Sequence, residues 1–300
     1  TTGIRNTLLG SNNGDALTVG TENVAVGFNA LSQDTKGSMS VAVGTGALNA
    51  QNFTSATDAF NTAVGQDAGN DITTGIRNSI VGGLAGDALT DADFNVAMGY
   101  QALSTDTLGS RSVAIGYNAL ATQNFTSATN SLNVAVGYSS GAALTTGPNN
   151  TFVGGESGSA VTSGDTNSAF GKDSLKTCTT GTNNTAIGHN SLGAVTDSNG
   201  HSNTAVGDQA GSNITTGNNN LLLGTGSGTN SSPSHITTGD NRIVLGNNSI
   251  TNAHIKVDWT VTSDARDKMN FASVPHGLSF VNDLQPFKFD FKKSRDDATP

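Results

Sequence analysis

The sequence predicts an all-β fold, a repetitive β-solenoid of about fourteen short coils stacked along one axis. Three observations predict it. A glycine recurs at Gly10, Gly27, Gly44, Gly65, Gly82, Gly99, Gly116, Gly137, Gly154, Gly171, Gly188, Gly207, Gly224 and Gly246; nine of the thirteen intervals are 17 residues and the others are 21, 21, 19 and 22. Each glycine closes one five-residue phrase, as in the Asn-Val-Ala-Val-Gly that ends at Gly27 and the Asn-Thr-Ala-Ile-Gly that ends at Gly188. With 38 glycines and only 5% aromatic residues, the chain lacks the material of a thick globular core. A unit this short must bury its apolar face against its neighbours. Fourteen coils at a strand spacing of ~4.8 Å give a rod roughly 65 Å long.

The phrase itself reads as a short strand. The residue before each glycine is apolar in all fourteen copies, and two residues earlier stands a β-branched residue or Ser in thirteen. This spacing puts both on one face, expected to be an inner row. Between them Ala stands in nine copies, among them Ala25, Ala42 and Ala63, so another layer of protein is expected to approach closely there. Three chains winding side by side around a shared core would supply that layer, with single-chain stacking the alternative.

The turns follow from residue chemistry. Asn opens the phrase in eleven copies; it tolerates left-handed backbone angles and so suits a corner, and stacked Asn side chains can form a ladder. Thr-Thr-Gly, as at Thr73 to Gly75, reads as the opposite turn. Three residues after the glycine, Ala or Ser fills thirteen of fourteen copies, which lets a second strand pack tightly. One residue further on, glycine and leucine alternate in pairs: Leu31 and Leu48, then Gly69 and Gly86, then Leu103 and Leu120. The full repeat is therefore four coils. Gln51 to Thr57 returns unchanged at Gln123 to Thr129 inside the two 21-residue intervals. These segments read as loops extruded from one edge, spacers or glycan contacts.

The formal net charge is −9, with 17 acidic and 8 basic residues before Ser263 and six of each from there on. That balance disfavours nucleic acid and anionic membranes as partners. No apolar run reaches the ~20 residues of a membrane helix, so no membrane insertion is expected. Cys178 is the only cysteine and reads as an inert small residue. His189, His201, His235, His254 and His276 lack metal-ligand spacing, and Gly82-Gly83 and Gly154-Gly155 lack the Lys-Ser/Thr of a phosphate loop, so no metal or cofactor is expected. The Thr residues sit mostly in turns, which argues against the flat Thr array of an ice-binding solenoid. Opening on Thr1 within a repeat, the chain reads as a piece of a longer protein.

Ser112 to Leu120 (Ser-Val-Ala-Ile-Gly-Tyr-Asn-Ala-Leu) resembles the head repeats of trimeric autotransporter adhesins, and similar phrases occur in phage tail fibres. Over Thr1 to Ile250 the resemblance implies a β-roll in a homotrimer. Composition changes after His254, where five of the twelve Phe fall within the last 38 residues. Ser263-Asp-Ala-Arg-Asp-Lys268, followed by the Gly-Leu-Ser-Phe and Leu-Gln-Pro of Gly277 to Pro286, resembles the start of the α+β intramolecular chaperone domain of endosialidases and other phage tail spikes and fibres. Asp267 departs from the Leu often found there. The resemblance implies self-cleavage between Thr262 and Ser263, with Ser263 as nucleophile and Lys268 as its activating partner. A partly desolvated lysine can take a serine proton. Asp264 and Arg266 would hold the turn by charge pairing.

The expected organisation is a repeat shaft over 1–250, a capping or connector strand over 251–262 that includes Trp259, and the front of the chaperone domain over 263–300. The expected role is that of a phage tail fibre in the virion, extracellular after assembly in the host cytoplasm. Its partners would be two further copies, other tail or fibre proteins, and a host-surface polysaccharide or protein receptor. A bacterial trimeric surface adhesin head is the alternative.

Overall fold

The computed structural model describes residues 2–196 and 200–256. The expectations for Trp259, Thr262, Ser263, Asp264, Arg266 and Lys268 lie outside them. Among the described residues the strands are β1 (Thr7–Ser11), β2 (Val24–Phe28), β3 (Gly37–Ser38), β4 (Val41–Val43), β5 (Thr57–Asp58), β6 (Thr62–Val64), β7 (Ser79–Val81), β8 (Val96–Met98), β9 (Gly109–Ser110), β10 (Val113–Ile115), β11 (Thr129–Asn130), β12 (Val134–Val136), β13 (Thr151–Val153), β14 (Ser168–Phe170), β15 (Thr185–Ile187), β16 (Thr204–Val206), β17 (Leu221–Leu223) and β18 (Ile243–Leu245). Fourteen of them form one parallel sheet in chain order; β3 with β5 and β9 with β11 form two small pairs. Each phrase residue lies over its counterpart, Val26 over Val43 and Ala25 over Ala42. Thirteen turns of one chain thus build a parallel β-solenoid, within a compact unit spanning Thr1–Thr251.

The two faces of the sheet are the reverse of the sequence expectation. Ala25, Ala42, Ala63, Ala97, Ala114 and their equivalents point inward and are fully buried. The β-branched and apolar residues that flank them point outward, and many remain exposed, including Val64, Met98, Phe170 and Ile187. The reason is thickness. The opposite wall of the same coil brings its own small residues, Ala30, Ala47, Ala68, Ser140 and Ser157, into the same narrow interior. The layer that demands alanine is therefore the chain's own second wall.

That second wall is not a strand. It is a run of turns with two left-handed positions per coil, such as Asn29 (φ 55°) and Leu31 (φ 52°). It is still bonded from coil to coil, Leu31 N–H donating to Ala47 O at 3.0 Å and Leu48 N–H to Ala68 O at 3.1 Å. The strand ends where the marker glycine turns the chain. At Gly44 (φ +136°) a Cβ would stand 2.2 Å from the carbonyl oxygen of Gly65 on the next coil, so no side chain fits.

Volume matching explains the four-coil period. Once every fourth coil the inward Ala is replaced by a large residue: Ile80, Phe152 and Leu222, all fully buried. The glycines on the opposite wall make the room. A Cβ at Gly69 would lie 3.0 Å from Ile80, one at Gly141 2.9 Å from Phe152, and one at Gly158 2.6 Å from Phe152. Where the inward residue is Ala, Leu31, Leu48, Leu103 and Leu120 fill the space instead. The third interior row holds Leu17, Ile72, Leu89, Leu144 and Val161, and Cys178 is buried among them as a small core residue.

The Asn ladder forms as expected, although the corner falls one residue earlier. The left-handed residue is the one before the Asn, for example Glu22 (φ 61°), Arg77 (φ 58°) and Thr166 (φ 57°). The Asn side chain is buried. Asn167 donates to Gly181 O at 2.8 Å and to Asn150 Oδ1 at 3.1 Å, and its Oδ1 accepts from the Asn184 backbone N–H at 3.0 Å. Buried backbone groups at the corner are thereby paired, which an apolar residue could not do.

The repeated inserts are more tightly held than extruded loops. Gln51 is buried, donating to Asp34 Oδ2 at 2.6 Å and to Ser40 Oγ at 3.2 Å, while its Oε1 accepts from Asn61 at 2.9 Å. Phe53 folds inward, and β5 pairs with β3. Thr54, Ser55 and Ala56 form the exposed tip, with Asn52 also exposed, and Thr126, Ser127 and Ala128 form the tip of the second copy. There Gln123 donates to Asp106 in the same way. A polar pair has replaced an apolar one in the interior row, and its hydrogen bonds dictate the repeated residues.

Candidate functional site

The residues expected to carry chemistry, Ser263 and Lys268 at the Thr262–Ser263 bond, lie outside the described residues. Within them the surface features belong to the two rims of the outward sheet face. On one rim, directly after the marker glycines, Tyr100, Tyr117 and Tyr138 come from three successive coils. Their rings stack with centroids 5.9 and 5.4 Å apart and planes within 16° and 8°. Sequence reading passed over this ladder because the three tyrosines are 17 and 21 residues apart; numbering from the marker glycine aligns them.

On the other rim, in the left-handed position before the Asn ladder, Phe60, Arg77, Phe94, Arg111 and Leu132 follow one another. The Arg77 and Arg111 guanidinium carbons lie 5.3 and 5.6 Å from the Phe94 ring centroid, a cation–π arrangement built from the coils before and after. Among the described residues neither arginine has a carboxylate within ion-pair distance.

Elsewhere the ion pairs cluster on one pair of lysines. Lys176 reaches Glu156 at 2.5 Å and Asp173 at 2.9 Å, and Lys172 also contacts Asp173. The hydrogen bond from Lys172, then that from Lys176, holds the Asp173 carboxyl below the usual carboxylate range, and bonds to Glu156 and Asp173 hold the Lys176 ammonium above its own. Asp67, Asn70, Asp71, Leu84 and Asp87 line a shallow hollow of about 320 Å³. Burial, and next the charges of Asp71 and Asp67, raise the Asp87 carboxyl against its own backbone hydrogen bond, and its Oδ1 is buried without a partner.

His189 and His235 serve turns: His189 Nδ1 lies 2.9 Å from Asp208, and His235 Nε2 3.1 Å from Asn213. Among the described residues no group of three His, Cys, Asp or Glu is placed to hold a metal ion, and no helix is long and apolar enough to cross a membrane. The threonine row on the second wall is structural, Thr90 Oγ1 donating to Thr107 O at 3.0 Å and Thr145 Oγ1 to Thr162 O at 3.0 Å. Its hydroxyls bond the chain itself. Compared with family models, with curated proteins and with solved structures, the chain matches none. The described body offers ladders, rims and a sheet face with one wholly apolar row.

Proposed function

We propose that this chain is a segment of a phage tail fibre, a rigid shaft or tip for host-surface attachment, assembled as a homotrimer in the host cytoplasm and released with the virion. The observation that carries the reading is the outward sheet face. One of its two rows is apolar in every coil from β1 to β18, Leu9 to Leu245, while the other mixes Val, Leu and Ile with Thr and Ser; together they make a strip roughly 65 Å long and 7 Å wide at strand spacing. The strip is about as large as the biggest apolar patch of an ordinary soluble monomer, a patch that is often an interaction site, and its straight, unbroken course suits a parallel copy. A parallel copy packed by the same rows around a threefold axis covers it with a closed heterologous interface. The number three comes from the resemblance to trimeric heads and fibres. The C-terminal segment supplies the second support: in the resembling chaperone domains this serine motif accompanies trimerisation and release, here before Ser263 with Lys268 as base.

Two measurements on the complete gene product test the reading together. The denatured mass, as wild type and as Ser263→Ala, reports cleavage; loss of everything after Thr262 in the wild type alone is expected. Light scattering of the native product reports assembly, with three copies expected. An uncut wild type removes the chaperone, and a single-chain mass removes the fibre. A trimer without cleavage favours the surface-adhesin head, whose repeat phrases the segment around Ser112 to Leu120 resembles.

A further inference from the structure

Gly155 occupies the rung of the tyrosine row just beyond Tyr138, and nothing in the fold asks for glycine there. Its neighbour Gly154 has φ +134° and a Cβ on it would lie 2.5 Å from the Gly171 carbonyl oxygen. Gly155 has no left-handed φ, and a Cβ on it would meet nothing within 4 Å. The other glycine in this row, Gly83 below Tyr100, differs: a Cβ there would touch the Tyr100 ring at 3.6 Å. The rings therefore lean toward the preceding coil. Tyr100 lies over Gly83, Tyr117 over Tyr100 and Tyr138 over Tyr117, which leaves the far face of Tyr138 uncovered. Tyr138 is accordingly 59% exposed, against 48% for Tyr100 and 46% for Tyr117.

The missing rung makes a gap of defined width. Tyr138 and Lys172, the next residue of the row with a side chain, are two coil spacings apart, roughly 9.6 Å. One saturated or aromatic ring fits between them at van der Waals distance from each. The rim of the gap is polar, with Glu156 and Asp173 balanced by Lys172 and Lys176. An aromatic face with a charge-balanced polar rim suits a ring that has one apolar face and hydroxyls at its edge.

We propose that the gap at Gly155 is a binding slot for a neutral hexopyranose ring, stacked on the open face of Tyr138 with its hydroxyls hydrogen-bonded to Glu156 and Lys172. The slot rests on the fibre reading for the source of the sugar, a host-surface polysaccharide, but not for its shape. It gives the shaft a side-on contact at one defined height, so three copies present three equivalent slots.

The test uses a favourable accident of composition: the chain has three tyrosines and all three are in the ladder. Protein labelled with 3-fluorotyrosine gives three ¹⁹F resonances that report the ladder alone. Titration with maltohexaose, cellohexaose and a β-1,4-galactan hexamer should produce a saturable shift with at least one of them, largest at Tyr138 and smallest at Tyr100. Gly155→Tyr extends the ladder into the slot and should abolish the shift, whereas Gly83→Tyr should leave it intact. Tyr138→Leu should weaken binding about tenfold, the equivalent of one stacking contact. No saturable shift with any hexamer overturns the slot, as does a shift that survives Gly155→Tyr. So does protection of Tyr138 from a soluble paramagnetic agent, which would place the ring in a subunit seam. A single-chain mass by light scattering, by contrast, sinks the fibre reading and leaves the slot result standing.

Discussion

Phe152 and Gly158 belong to one coil and face each other across the interior, so the coil predicts its own rescue mutation. Phe152 is fully buried, and its neighbours in the same row are Ala135 and Ala169. A phenylalanine that buries about 200 Å² at ~25 cal/mol/Å² contributes about 5 kcal/mol. Phe152→Ala should therefore cost about 3–5 kcal/mol, since the two walls cannot collapse onto the cavity. Gly158→Leu alone should also destabilise, by about 1–3 kcal/mol, because its Cβ would lie 2.6 Å from the ring. The double variant recreates the Ala-and-Leu pairing of neighbouring coils. Leu31, Leu48, Leu103 and Leu120 hold φ values of 48–55° at the equivalent position, and Gly158 already has φ +59°. The new leucine regains roughly 1.5–3 kcal/mol of burial against about 1 kcal/mol of left-handed strain. The coupling energy should then be about 3 kcal/mol, read as guanidinium midpoints of the four proteins. Single effects that add to within about 0.5 kcal/mol would refute the volume-matching account.

The Gly154-Gly155 pair separates conformational need from habit. Gly154→Ala should lose about 3 kcal/mol or more through backbone strain and the clash with the Gly171 carbonyl, while Gly155→Ala should gain about 0.4–1 kcal/mol by stiffening the unfolded chain; equal effects in thermal unfolding would contradict the geometry. Asp87 predicts a pH effect whose sign is fixed by its raised pKa. Its folded carboxyl holds a proton at pH values where the unfolded one has lost it, so stability falls as pH rises from its ordinary value of 3.8 through the raised one. Asp87→Asn should raise the melting temperature at neutral pH and lose that advantage in acid. An advantage that persists unchanged in acid would show that the carboxylate charge is not the cause.

The period, strand phrase and Asn ladder were legible in the sequence because each is a vertical row, and rows show as recurrence. Which side of the sheet was inside was not legible. Alternation in Val-Ala-Val defines two faces without saying which is buried, and large β-branched residues are the ordinary choice for a core. Only the closeness of the second wall, with Ala30 and Ala47 opposite Ala25 and Ala42, reverses that choice. The Gly-and-Leu alternation was visible, yet its partner, the replacement of Ala by Ile80, Phe152 and Leu222, emerged once the two rows were seen to face each other. The tyrosine ladder was missed for another reason. It occupies three rungs of fourteen, so it looks like variation in a position that holds Phe28, Gln66, Lys172 and His189 elsewhere.

The matching of interior volumes also restricts how such a rod can change length. Removing one 17-residue coil would bring a glycine-lined layer against the wrong neighbour, leaving either a void or a collision. Removing or adding four coils, the 72 residues from Gly10 to Gly82 for instance, restores every facing pair. At ~4.8 Å per coil the rod is graduated in steps of roughly 19 Å. A molecule of this kind is a ruler with coarse divisions, and its reach adjusts by whole notches.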